Sequence, residues 1–182
     1  MRTGLSASEE EEYLQLLEAE YAAILQKKPI WTPNPPRDGQ AKSTQQMALE
    51  STARIIGFGG AARGGKTDLL IGKALTQHSR SLILRREFTQ FEGIQQRLAE
   101  LVGAENLIGG NLVRFGGEKH PSITAERIDL GHLQHPIKHW QRYQGIPHDL
   151  LAVDEATQFP LNILRILMTW CVATDLDPER AA

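Results

Sequence analysis

Ile55-Ile56-Gly57-Phe58-Gly59-Gly60-Ala61-Ala62-Arg63-Gly64-Gly65-Lys66-Thr67 is the stretch whose reading decides the fold. From Gly60 it fits G-x-x-x-x-G-K-[ST] at every fixed position, the pattern of a phosphate-binding loop. Its flanks suit that reading. Arg54 to Phe58 is a short apolar, β-branched run that predicts a buried strand. Asp68 to Gln77 carries Leu69, Leu70, Ala74 and Leu75 at the spacing of a helix packed along one face. Strand, glycine turn and helix together let successive backbone N–H groups curl around phosphate oxygens, aided by the positive end of the helix. In such a loop Lys66 reaches the β- and γ-phosphates, and the Thr67 hydroxyl ligates Mg²⁺.

Working outward, Leu150-Leu151-Ala152-Val153-Asp154-Glu155-Ala156 is the second stretch with chemistry in it. An apolar run ending in adjacent carboxylates is the Walker B pattern, weak alone and strong when it follows a full phosphate loop. Asp154 at the strand tip would serve the Mg²⁺ sphere, and Glu155 would polarise an attacking water. Two acids in that order suit hydrolysis, whereas nucleotide kinases need no base aimed at water.

The remaining chain reads as α/β. Ser81 to Leu84 predicts a strand parallel to the first and running into Arg85-Arg86-Glu87; charges there lie on the ligand edge of such a sheet or form a surface pair. Phe88 to Leu101 reads as helix, Asn111 to Phe115 and Ile123 to Leu130 as a hairpin, and His135 to Gln144 and Leu161 to Val172 as helices. A further helix, Ala41 to Thr52, holds Gln45 and Gln46 just before the loop strand. Upstream, Pro29 to Gly39 is a proline-rich connector. Residues 8–26 predict an acidic helix capped by Ser8 and Glu11, with Leu14, Leu17, Tyr21, Ile24 and Leu25 as an apolar stripe for its own domain or for a partner. The division is thus an N-terminal acidic helix over 1–30 and a nucleotide-binding domain over 31–182.

Composition narrows the classes. A chain of 182 residues can bury about 70% of its unfolded surface without staples. Cys171, the single cysteine, has no internal disulfide partner, which fits a reducing compartment. His132, His135 and His139 lie close in sequence, but no Cys or carboxylate cluster completes a metal site. No apolar run is long enough to span a membrane. The net charge of −2 gives no sign of a nucleic-acid surface.

Several segments together resemble the N-terminal ATPase domain of the large terminase subunit of tailed bacteriophages, the DNA-packaging motor. They are FGGAARGGKTDLLIGKAL (58–75), SLILRREFTQFEGI (81–94), ERIDLGHL (126–133) and RYQGIPHDLLAVDEATQF (142–159). The second and fourth are the more specific to that family, and the resemblance spans Trp31 to the C-terminus. It implies a P-loop NTPase fold of the additional-strand, catalytic-glutamate type, with a mainly parallel sheet flanked by helices. It implies ATP and Mg²⁺ as cofactors, with Gly60, Ala61, Ala62, Arg63, Gly64, Gly65, Lys66, Thr67 and Asp68 around the nucleotide. Glu155 would be the catalytic base, with Lys66 and Arg63 acting on the γ-phosphate, and Thr67 and Asp154 would serve the metal. Gln45 falls closest to the adenine-reading glutamine, with Gln46 and Gln40 as alternatives. The implied partners are double-stranded viral DNA, a portal protein, a small terminase subunit and further copies in a ring, in the cytoplasm of a bacterial host and away from membranes. A coupling strand and a nuclease domain are expected after Walker B in that family, so the chain reads as the ATPase part alone. The alternatives are a helicase-like ATPase, for which no further motif is visible, and a nucleotide-binding assembly module without turnover.

Overall fold

The computed structural model describes residues 11, 13–20, 23, 28–60, 64–116 and 119–172. Its centre is a five-stranded mixed sheet in the order β2-β3-β4-β1-β5. The strands are β1 (Arg80–Arg85), β2 (Leu107–Ile108), β3 (Leu112–Arg114), β4 (Arg127–His132) and β5 (Leu150–Val153). β1 pairs in parallel with β4 on one side and β5 on the other, so Arg85 and His132 end level with the tip of β5. β2 and β3 form an antiparallel hairpin through Gly109 and Gly110, both at positive φ, and β3 continues antiparallel onto β4.

Helices cover both faces. β1 shows why: its side chains alternate, and the whole strand from Ser81 to Leu84 is buried. Ile83 joins a core with Ile128, Val113 and Ala152 under α3 (Lys66–Thr76) and α4 (Glu92–Val102), which contribute Ile71, Leu75, Ile94 and Leu98. Leu82 and Leu84 point the other way, toward Phe159 and α6 (Leu161–Met168). The short α5 (Pro136–His139) precedes a 3₁₀ turn over Trp140–Tyr143 on that second face.

A third, smaller cluster ties the proline-rich connector and α2 (Thr44–Glu50) to α3 through Trp31, Ala48 and Leu69. The Trp31 ring lies flat against Gly72, where an added Cβ would come within 2.2 Å of the ring carbons. Its indole N–H donates to Asp68 Oδ2 at 2.8 Å, and the Arg97 Nε donates to Asp68 Oδ1 at 2.9 Å. Connector, α3 and α4 thus share one carboxylate.

At the opposite end of the strands from Thr67 and Asp154, Asp149 accepts the backbone N–H groups of Ser79 and Arg80. Beside it Asp129 is bonded by Arg127 and His148. Burial pushes the Asp129 carboxyl up, but those two donors outweigh it and leave the group below the ordinary carboxylate value.

The predicted α/β architecture holds, and β1, β3, β4 and β5 fall within a few residues of expectation, while β2 was not expected. One expected element differs. Arg54 to Phe58 is not a strand, and the sheet does not include it. The run still alternates, with Ile56 and Phe58 packed on the Trp31 cluster and Ile55 71% exposed. A strand needs a neighbour to receive its backbone groups, and among the described residues none reaches this run. The sheet is also mixed, since β2 and β3 run antiparallel. In the N-terminal segment, residues 13–20 are helical (α1), and Leu14 and Leu17 are exposed, so this part of the predicted stripe is not covered by the domain. Tyr21, Ile24 and Leu25 lie outside the described residues.

Gly72→Ala tests the Trp31 contact. The substitution gains about 1 kcal/mol of helix propensity, yet the added methyl must displace a buried aromatic ring, an overpacking cost of about 1–3 kcal/mol. A net loss of stability is expected in urea denaturation; a gain equal to the propensity difference would show that the ring does not sit there.

Candidate functional site

The C-terminal ends of β1 and β5 and the N-terminus of α3 meet at one point. Asp154 directly follows β5, and its N–H donates to the Leu84 carbonyl at 2.9 Å, so the β1–β5 ladder itself sets the carboxylate's position. Asp154 is buried, 5% exposed. Thr67, at the second residue of α3, donates its hydroxyl to Asp154 Oδ2 at 2.9 Å. Arg85 at the tip of β1 donates Nε and Nη2 to the same oxygen, at 3.1 and 2.8 Å. Asp154 Oδ1 accepts the backbone N–H of Glu155. Two stretches separated by 87 positions are therefore in direct contact.

Glu155 sits at φ 54°, ψ 48°, the only described non-glycine residue at positive φ. That conformation is unusual for a residue with a long side chain. It turns the chain sharply out of the strand and leaves the Glu155 carboxylate exposed beside the buried Asp154. Gln158 donates its amide to Glu155 Oε2, and Arg86 donates to the Gln158 carbonyl at 3.2 Å. The adjacent arginines at the tip of β1 thus serve adjacent carboxylates, one directly and one through Gln158.

The loop itself is held from behind. Gly65 caps α3 at φ 71° in the left-handed region, and its carbonyl accepts Gln45 Nε2 at 2.7 Å. Gln45 is 1% exposed, and its Oε1 accepts the Asn34 N–H at 2.6 Å. A Cβ on Gly65 would come within 2.4 Å of the Gln45 amide nitrogen. Glycine is thus required twice at this position, by φ and by the close approach. The Lys66 ammonium donates to the Gly60 carbonyl at 3.0 Å, folding the side chain over the loop. Gly60 and Gly64 flank Ala61, Ala62 and Arg63, which lie outside the described residues.

The structure therefore brings together Thr67, Asp154, Glu155, Lys66, Gly60 and Gly65. Asp68 lies in the first turn of α3, but both of its oxygens are engaged by Trp31 and Arg97. Gln45 adjoins the loop, with its described hydrogen bonds going to Asn34 and Gly65. Gln46 lies at the start of α2, bonded reciprocally with Ser43 in a capping box. His135 and His139 stack edge to face, and no group of three or more His, Cys, Asp or Glu that could hold a metal occurs among the described residues. Arg85 was foreshadowed by its place at a strand end. Asn34 and Gln158 carried no signal in sequence, because one acts through its backbone and the other lies in an irregular turn.

The donor set that meets at Thr67 and Asp154 is a hydroxyl and a carboxylate. Such hard oxygen donors suit Mg²⁺, which keeps several waters and takes further oxygens from a bound phosphate rather than from a protein cage. The oxygen chemistry of the pair is compatible with such an ion. Compared with protein-family models, with curated proteins and with solved structures, the chain gives no match. Among the described residues no helix is long and apolar enough to cross a membrane.

Gln45→Leu should leave the Asn34 N–H and the Gly65 carbonyl without partners in a buried setting. An unpaired buried group costs about 1–3 kcal/mol, and limited proteolysis should cut within residues 59–65 faster than in wild type. Unchanged stability and cleavage would show that Gln45 does not brace the loop.

Proposed function

We propose that the protein binds MgATP at the Gly60–Thr67 loop and hydrolyses it, as the ATPase part of a viral DNA-packaging motor. The observation that carries the hydrolase reading is the Thr67–Asp154 contact of 2.9 Å. A phosphate-loop threonine and a strand-end aspartate come together although nothing local in the sequence links them. The packaging role is the finer reading. It rests on the likeness of LILRREF and of the YQG-to-DEATQF segment to terminase large subunits.

In this mechanism the backbone N–H groups at the start of α3 and the Lys66 ammonium hold the β- and γ-phosphates. Thr67 and Asp154 would hold a bound Mg²⁺, which would supply positive charge against the phosphate oxygens. Glu155, exposed and oriented by Gln158, aligns a water with the γ-phosphorus and accepts its proton as the new P–O bond forms. The bond to the β,γ-bridging oxygen breaks in the same displacement, and ADP departs with that electron pair. Arg63 is assigned to the charge that develops on the γ-phosphoryl oxygens.

Two variants separate binding from chemistry. Lys66→Ala removes the charge that meets the phosphates and should abolish or severely weaken MgATP binding in calorimetry. Unaltered affinity would overturn the phosphate-loop reading. Glu155→Gln should bind MgATP as wild type does but lose about 10²–10⁴-fold in single-turnover hydrolysis, the usual contribution of a general base. Hydrolysis at the wild-type rate would remove Glu155 as the base. Measuring wild-type turnover with and without double-stranded DNA tests the packaging assignment: DNA stimulation is expected, and indifference to DNA in an active preparation counts against it.

A further inference from the structure

The Thr67 hydroxyl does not have Asp154 Oδ2 to itself. Arg85 places two guanidinium N–H groups on that oxygen, and its third described bond runs from Nη1 to the Gln90 carbonyl. The Arg85 and Asp154 side chains are 18% and 6% exposed, so the pair lies largely out of water. Arginine is suited to this place because it stays charged and its fork holds one plane. Gln90 lies in the 3₁₀ turn Phe88–Phe91 shortly after β1, so the guanidinium is held between the Asp154 carboxylate and a backbone carbonyl.

We propose that Arg85 is a positioning residue that makes the divalent cation and the nucleotide dependent on each other. This inference rests on the ATPase reading of the same site. Among the described residues the Asp154 carboxylate is the one buried acid at the point where the cation would sit, and the Arg85 charge already balances it. A bare divalent cation arriving there meets a neutral pair rather than a free anion. Only the phosphates of the nucleotide add the negative charge that makes the cation's entry favourable, so metal and nucleotide enter together. Arg85 also fixes the carboxylate plane so that Oδ2 faces Thr67 rather than solvent. Glu155 is nearby but exposed, and its charge is solvated enough to attract a bare cation only weakly.

The test is bare Mn²⁺ binding, followed by the electron paramagnetic resonance signal of the free ion, in the complete chain without nucleotide. Wild type should bind Mn²⁺ poorly alone and much more tightly with ADP present. Arg85→Gln removes the charge but keeps a hydrogen-bond donor, and it should tighten nucleotide-free Mn²⁺ binding on the order of tenfold or more. Damage to the site would move that affinity in the opposite direction. Arg85→Lys keeps the charge, so its nucleotide-free Mn²⁺ affinity should stay near wild type; its turnover should still fall, because a point charge cannot hold the carboxylate plane. Equal Mn²⁺ affinity in wild type and Arg85→Gln would overturn the proposal. So would tight nucleotide-free Mn²⁺ binding by wild type, a result that does not depend on any variant folding. Failure of the ATPase reading looks different: wild type would then bind no MgATP under any cation condition.

Discussion

One carboxylate oxygen, Asp154 Oδ2, collects the hydroxyl of α3 and the guanidinium of β1. A buried anion cannot be left with partial satisfaction, because an unpaired charge in the interior costs several kcal/mol. That constraint fixes three things together. β5 must end level with β1, α3 must begin against the tip of that ladder, and the turn after β1 must close tightly enough for Gln90 to hold the other side of Arg85. The sheet provides a rigid frame for the first requirement. The glycine at position 65 provides the second, by letting the chain enter α3 from a left-handed residue.

The apolar layers serve this arrangement rather than compete with it. β1 is buried on both faces and lies inside the sheet, so its register with β4 and β5 is strongly determined. A slip of one residue would exchange Ile83 with Leu82 and Leu84 between two different cores. It would also carry Arg85 away from Asp154. Packing and electrostatics therefore select the same register, the consistency expected of a well-specified fold.

Much of this was legible in the sequence, and unevenly so. Strands β1 and β5 announced themselves as apolar runs with charges at their ends, and the helices by their spacing. The contact of Thr67 with Asp154 was readable because the two residue types, in those patterns, point to the same chemistry. Arg54 to Phe58 was misread as a strand. Periodicity records which side chains face inward, and Ile56 and Phe58 do so; it does not record whether a neighbouring backbone is present to pair with. Gln45 shows the converse limit. Its place upstream of the loop and the family resemblance suggested a ligand contact, while its burial and its bonds to Asn34 and Gly65 depend on how a proline-rich connector folds back, which no local pattern encodes. Asp68 is similar: an acid in the first turn of a helix is expected from the helix dipole, and the indole of Trp31 as its partner is not.

Glu155 stands at positive φ immediately after the strand. For a non-glycine residue that conformation costs on the order of 1–3 kcal/mol, and glycine or asparagine would relieve much of it. Under selection for stability alone, drift at this position would run toward those residues. A carboxylate there is a choice the fold itself penalises. Under the role proposed for Glu155, stability and chemistry favour different amino acids at one codon, and a lineage without that role would be expected to lose this acid before it lost the glycine at 65, which backbone and packing both require.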